Sequence, residues 1–264
     1  MHPIAFNLGT FAITMQGFFL VFGFLISIWV ARRKAIDEGI TQSTVIDCGP
    51  WLVVGSILGA RATYVIGHWD QAFVGKPFWA IFLLNKDGLV TYGGCIGALG
   101  ALCVYLYLRT IPVWKFGDAV ASAIPLGFIF VCLGSLASGD AFGSPTTLPW
   151  AIRFPADHET GGLPVHPTQI YKAVLSLGLY ALLSWFYARK TFDGQILSLS
   201  LIGFALVFGG LDSCRGDYTN GGWDALLTKS QFASLGLLGL GLVLYIVRRR
   251  SGRHGNPTVL HRQI

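Results

Sequence analysis

A chain of 264 residues that is 53% hydrophobic and only 12% charged, with a mean hydropathy of +0.59, has too little polar surface to enclose a water-soluble core of that size. Its formal charge of +6 is not a nucleic-acid footprint, because the basic residues are spread over helix ends and one short tail and are not gathered along a groove. The apolar runs are long and continuous, without the alternation of a membrane β-barrel, and this predicts an all-α membrane protein.

Seven apolar stretches, about 11–31, 44–66, 89–108, 118–137, 168–188, 194–211 and 231–247, predict a bundle of about seven transmembrane helices in a single domain over residues 1–264. The first follows a segment, Met1–Thr10, with no basic residue before the apolar run, and is read as a permanent helix, not a cleaved signal. The second carries Arg61 at membrane depth and Gly55 and Gly59 at a spacing that lets helix backbones approach in lipid. In the connection His68–Asp87, the stretch Phe78–Leu84 is too short to span and too apolar for open water, so an interfacial element is expected there.

The third stretch opens on Asp87-Gly-Leu-Val-Thr-Tyr-Gly-Gly94. For Gly93 and Gly94, and for Gly139 and Gly143 farther on, two readings stand side by side: close helix packing, or an opened helix end whose backbone N–H groups hold a phosphate or an oxyanion. The fourth stretch ends in Gly139-Asp-Ala-Phe-Gly143, and the segment Ser138–Thr168 that follows carries Pro145, Pro149, Pro155, Pro164 and Pro167. Such a segment cannot be helical, and it predicts an irregular extracytoplasmic head region. The fifth stretch begins His166-Pro-Thr-Gln-Ile-Tyr171 and the sixth closes with Asp212-Ser-Cys-Arg-Gly-Asp217. The seventh contains no lysine in its middle, which excludes a retinal protein.

Orientation follows from Lys and Arg, which collect in short cytoplasmic loops. With the N-terminus extracytoplasmic, twelve of the nineteen Lys and Arg fall on the cytoplasmic side and five (Lys76, Lys86, Arg153, Arg215 and Lys229) on the other, with Arg61 and Lys172 inside the spans. The C-terminus is then cytoplasmic. Arg61, Tyr92, Asp140, His166, Asp212 and Arg215 are all expected near the extracytoplasmic ends of their helices, and ionisable groups at membrane depth mark function. The five cysteines show no metal-ligand spacing, so neither a metal nor a cofactor is expected, and they are read as small packing residues.

In this order and topology, Gly59-Ala-Arg-Ala-Thr-Tyr64, the Tyr92-Gly-Gly94 motif, Gly139–Gly143 with Pro145-Thr-Thr-Leu-Pro-Trp-Ala-Ile152, His166–Tyr171 and Asp212–Asp217 resemble the prolipoprotein diacylglyceryl transferase family. The likeness covers nearly the whole chain, including Gln231 and Ser234. It implies a seven-helix enzyme of the bacterial inner membrane that moves the diacylglyceryl group of phosphatidylglycerol onto the lipobox cysteine of a prolipoprotein, whose signal peptide is then a second partner in the membrane.

Carried over by residue, the resemblance implies that Arg61 and Arg215 hold the anionic headgroup, that Tyr92, Asp140, Asp212 and His166 serve catalysis, and that Gln169 and Tyr171 belong to the HPxQxY signature. The chain departs from the family at Cys132 and Phe208, where arginines are usual, at Ser135, where asparagine or cysteine is usual, and at Lys172, which stands where an acidic residue often follows the signature. A non-catalytic relative that binds phospholipid or lipoprotein is therefore the alternative.

Several roles stay double at this point. Arg61 and Arg215 are phosphate anchors, guanidinium being permanently charged and bidentate, or partners that neutralise Asp140 or Asp212. Tyr92 is a hydrogen-bond donor at the site or an ordinary interfacial tyrosine. His166 is a proton carrier or a loop-packing residue. Lys172 stretches toward the headgroups or replaces a missing phosphate anchor.

Overall fold

Inside a lipid layer a backbone satisfies its own polar groups only as a helix or a closed barrel, and each of the seven apolar stretches is mostly helical in the computed structural model, which describes residues 4–8, 11–74, 77, 79, 81, 90–212, 214–216 and 229–252. The helices are α1 (Met15–Asp37), α2 (Gln42–Gly67), α3 (Thr91–Leu108), α4 (Val113–Ala121), α5 (Ile124–Ser138), α6 (Thr168–Tyr187), α7 (Gln195–Asp212) and α8 (Lys229–Gly252). Of these, α1, α2, α6, α7 and α8 are each long and apolar enough to cross a membrane. The pair α4 and α5, bent by 42°, makes a sixth candidate span, and α3 is a shorter apolar helix. Leu58 on α2, Val174 on α6 and Val243 on α8 are more than half exposed, an arrangement suited to hydrocarbon and not to water. The chain is an all-α, multi-pass membrane protein.

Two boundaries differ from the sequence expectation. Phe11–Thr14 is a strand (β2) paired antiparallel with Ile4–Leu8 (β1), so the first helix begins at Met15. The fourth stretch is two helices because Pro125 sits in the first turn of α5. A proline starts a helix well, but inside one it lacks the N–H and its ring meets the carbonyl four residues back, here that of Ala121, the last residue of α4. That carbonyl instead accepts a hydrogen bond from Ser200 Oγ at 3.2 Å. Of the interfacial element expected over Phe78–Leu84, all but Trp79 and Ile81 lies outside the described residues.

The chain forms two compact units, one of residues 35–116 and one of residues 1–34 with 117–264. In the smaller, α2 and α3 meet backbone to backbone. A Cβ built on Gly59 would collide with the Gly93 carbonyl and would stand 2.7 Å from Gly97 Cα, and one on Gly55 would lie 2.6 Å from the Gly97 carbonyl oxygen. The close-packing reading of Gly55 and Gly59 is therefore right, and Gly93 and Gly97 are its other half. The seam is extended by Tyr105, whose hydroxyl donates to the Thr44 carbonyl at 3.3 Å.

In the larger unit, α1 packs on α5 through Gly23 and Gly127 and through the edge-to-face pair Phe22–Phe130. Leu179 and Leu183 of α6 form a core with Ile196 of α7. Phe128 of α5 packs on Phe204 and Phe208 of α7, and Gly241 of α8 fits against Ile202. The start of α7 has no acidic residue in its own first turn. Asp118, fully buried on α4, supplies one from outside: its carboxylate accepts from the amides of Gly194 (2.8 Å) and Leu197 (2.9 Å) and pairs with Lys190 at 3.2 Å. A helix N-terminus favours such an anion.

Candidate active site

The irregular segment after α5 is held by a backbone ladder. Gly143 and His166 exchange with their neighbours through Gly143 N to the His166 carbonyl (3.0 Å) and His166 N to the Ser144 carbonyl (3.0 Å). On the other edge, Ser144 N donates to the Cys214 carbonyl (2.9 Å) and Gly216 N to the Phe142 carbonyl (3.2 Å). The residues 142–144 thus lie between the start of α6 and the end of α7, and bring His166 and Arg215 to either side of Gly143. Two short strands, β3 (Ile152–Arg153) and β4 (Pro164–Val165), extend the ladder.

This ladder gives Gly143 a physical reason. A Cβ there would stand 2.5 Å from both the Cβ and the carbonyl oxygen of His166 and 2.9 Å from the Cys214 carbonyl oxygen. Gly139 has another: it ends α5 in the left-handed region, at φ 87°, where glycine carries no steric cost. The reading as donors of unpaired N–H groups is corrected for Gly94, Gly139 and Gly143. Gly139 N and Asp140 N both donate to the Ser135 carbonyl at 2.9 Å, Gly143 N is taken by His166, and in the smaller unit Gly94 N is taken by the Val90 carbonyl at 3.1 Å. Gly93 serves the α2–α3 seam.

Around the ladder the first turn of α6 grips the end of α5. Thr168 Oγ1 donates to the Ala141 carbonyl and Gln169 Nε2 to the Asp140 carbonyl at 2.7 Å. Ala141 is held at φ 57°, an uncommon conformation for a residue with a Cβ and one that clusters at functional sites. Asp140 is exposed at this corner, whereas Asp212 is buried at the end of α7 and Arg215 is half-buried beyond it. Lys172, one turn into α6, is only 6% exposed, and its Nζ lies 5.7 Å from the centre of the Phe208 ring. A side chain stretching to the headgroups would be exposed, so that reading of Lys172 is overturned.

His166 is oriented by a chain that the sequence did not reveal. Trp150 Nε1–H donates to Tyr171 Oη at 2.7 Å, and that oxygen lies 3.4 Å from His166 Nδ1. In the tautomer where Tyr171 donates to Nδ1, the ring carries its proton on Nε2 and presents it as a donor. Replacing Trp150 with phenylalanine is expected to release Tyr171 and mix the two His166 tautomers, lowering activity about 3- to 10-fold. Nitrogen NMR of labelled histidine reads the tautomer, and an unchanged spectrum would remove Trp150 from the chain. His158, also unremarked from sequence, fastens the same corner: it stacks on Phe154 at 4.6 Å and its Nε2 bonds the Gly139 carbonyl at 3.2 Å.

In the smaller unit, Arg61 is buried. Its guanidinium lies 5.4 Å from the ring centres of both Tyr64 and Phe73, and Nε donates to the Ile81 carbonyl at 2.6 Å. Such aromatic contacts stabilise a desolvated cation. Tyr92 projects from the first turn of α3 with 77% of its surface exposed. Among the described residues, no group of three His, Cys, Asp or Glu is placed to ligate a metal.

The sequence is similar to those of known proteins. The sequence profile of the prolipoprotein diacylglyceryl transferases matches residues 3–247. The phosphatidylglycerol–prolipoprotein diacylglyceryl transferase of Nitratidesulfovibrio vulgaris is 33% identical over 97% of this chain and 96% of its own length. The protein of the same name from Rhodospirillum rubrum is 33% identical over 95% and 93%, and that from Finegoldia magna 31% identical over 93% and 95%. A match that runs from the first strand through α8 embraces the ladder, the α6 signature and the glycine seam alike, and the chain belongs to the prolipoprotein diacylglyceryl transferase family.

Proposed function

We propose that the chain transfers the diacylglyceryl group of phosphatidylglycerol to the lipobox cysteine of a prolipoprotein, at the outer leaflet of the bacterial inner membrane, with its N-terminus extracytoplasmic and its C-terminus cytoplasmic. The observation that supports this most is the pairing of a cation and an oriented imidazole, Arg215 and His166, across Gly143. In the reaction the acceptor sulfur forms a bond to the glyceryl carbon, the carbon–oxygen bond to phosphate breaks, and glycerol phosphate leaves with the electron pair. The thiol proton must be removed, because the thiolate is the nucleophile, and the departing phosphate must be stabilised.

The residues divide along those needs. Arg215 in the larger unit and Arg61 in the smaller are each a guanidinium suited to anchoring a phosphate, since the planar fork forms paired hydrogen bonds with phosphate oxygens. His166 donates through Nε2–H to the departing oxygen, and Tyr92 offers a phenolic hydrogen bond to the headgroup. Asp140 takes up the thiol proton, and Asp212, buried at the end of α7, supplies a second carboxylate three residues before Arg215. Gln169, Tyr171 and Lys172 face the substrate from α6, on the corner that Gly139 and Gly143 shape, and Gly93 and Gly94 open α3 beside Tyr92.

The test is transfer itself: purified protein in phosphatidylglycerol vesicles, a lipobox peptide, and labelled diacylglyceryl lipid, alongside complementation of a transferase-depleted bacterium. Label is expected on the peptide sulfur, and Arg215→Ala and Arg61→Ala are each expected to reduce its rate about 10- to 1,000-fold at normal folded yield. Folded protein that binds the lipid without labelling the peptide would make it a non-catalytic binder.

A further inference from the structure

The end of the larger unit that lies away from the Gly143 ladder carries a repeated pattern. The ladder joins the start of α6 to the end of α7, so the opposite end is where α6 finishes and α7 begins. The last turns of α8 come to the same place, because Tyr245 packs edge-to-face on Phe192 and Arg248 Nε donates to the Asp193 carbonyl at 3.1 Å. The end of α1 joins them: Lys34 Nζ donates to Ser184 Oγ at 3.2 Å, and the Lys34 carbonyl accepts from Tyr187 Oη at 2.9 Å. On each of α1, α6 and α8 an aromatic residue near this end is followed four positions later by arginine: Trp29 and Arg33, Trp185 and Arg189, Tyr245 and Arg249.

Two of these arginines are held on the ring. The Arg33 guanidinium lies 3.8 Å from the centre of the Trp29 ring. That of Arg189 lies 4.3 Å from the centre of the Trp185 ring, and its Nη1 donates to the Trp185 carbonyl at 3.3 Å. Both tryptophans are about half exposed, so the stacked pairs face lipid and not the bundle. Stacking uses the face of a guanidinium and leaves its N–H edge for an anion, in a geometry that matches phosphate oxygens. On α8 the third pair lines a recess of about 290 Å³, with Ile246 and Arg250 also in its wall. Beside Arg33, the half-buried Arg32 has its Nε buried without a hydrogen-bond partner, and a buried donor of that kind is expected to find an acceptor. Eight Lys and Arg gather at this end (32–34, 189–190 and 248–250) against four acids, Asp37, Glu38, Asp118 and Asp193, and Lys190 takes two of the four at 3.2 and 3.3 Å.

We propose that this end of the bundle is a binding site for anionic phospholipid of the leaflet it faces, Arg33, Arg189 and Arg249 taking phosphate oxygens through their N–H edges while Trp29, Trp185 and Tyr245 rest against the glycerol. Its lipid is bound and not consumed, and it lies at the far end of the bundle from the ladder. Positive charge alone gathers anionic lipid diffusely. Rings that fix the guanidinium make binding depend on shape as well, and variants that conserve charge separate the two.

The probe is spin-labelled cardiolipin, an anionic lipid other than the proposed donor, added to full-length protein in phosphatidylcholine bilayers. The motionally restricted fraction of its spectrum is compared with that of spin-labelled phosphatidylcholine. Cardiolipin is expected to associate about 5-fold or more strongly than phosphatidylcholine at about 0.15 M salt. Arg33→Gln, Arg189→Gln and Arg249→Gln together are expected to bring that ratio below about 2. Lysine at the same three positions, or Trp29→Leu with Trp185→Leu, keeps the charge and is expected to lower the ratio about 3-fold or more. Arg215→Ala, at the ladder, is expected to leave it within about 1.5-fold of the parent. Circular dichroism checks that each variant is folded, and where the tryptophan pair folds poorly the lysine set carries the test. No preference for cardiolipin in the parent, an unchanged ratio in any folded set, or a ratio lost with Arg215 alone each overturns the proposal.

Discussion

Asp118→Ala is expected to unfold the larger unit's α4–α7 junction, at a cost of about 3–5 kcal/mol. The carboxylate is fully buried and answers three donors: the Gly194 and Leu197 amides and the Lys190 ammonium. Removing it leaves two amides at the head of α7 without an acceptor, and the ammonium of Lys190, 17% exposed, with only Asp193 at 3.3 Å. Asp118→Asn keeps one oxygen for the amides and loses the charge, so about half of the cost is expected. Thermal unfolding in detergent reads both. An Asp118→Ala midpoint within about 2 °C of the parent would mean that the clamp does not hold α7.

Gly143→Ala is expected to reduce transfer by about 100-fold or more while leaving the helices intact. Three atoms stand within 3.0 Å of the position a methyl would take, two of them backbone carbonyl oxygens. Backbone cannot swing aside as a side-chain tip does, so the ladder must open and His166 must move relative to Arg215. Displacements of about 1 Å at a reacting site can cost about 100-fold in rate. Gly178→Ala is the control, because that glycine of α6 has open space where a Cβ would go. Circular dichroism should be alike in the two variants, with transfer lost only in the first. Normal transfer by Gly143→Ala would free the ladder from any role in the chemistry.

The helices were legible because lipid leaves the backbone no other choice, and the glycine seam because small residues at that spacing have one common use in membranes. The irregular head was legible from its prolines. The α4–α5 break was within reach as well, from Pro125 inside an apolar run, yet the run reads as continuous when only hydropathy is weighed. Asp118 carried the general signal of an acid at membrane depth, but its partners come from residues 190–197, and no local pattern announces a cap donated by another helix.

The candidate site was legible as a set of residue types and much less as an arrangement. His166, Asp140 and Arg215 were marked by their motifs. Trp150, which orients the imidazole through Tyr171, lies 16 residues from His166 in the sequence, and a tryptophan in a proline-rich loop looks like any interfacial anchor. Lys172 was open to two readings for a similar reason: sequence places it near a helix end, where long cations usually reach outward, and only its burial on α6, beside Phe208 of α7, excludes that one.

The bare backbone contact between α2 and α3 also bears on traffic. Where one methyl group does not fit, at Gly59 against Gly93 and Gly97, a fatty-acid tail cannot slip through. Along that line the smaller unit is a sealed wall, and a two-tailed donor must come and go by some other door.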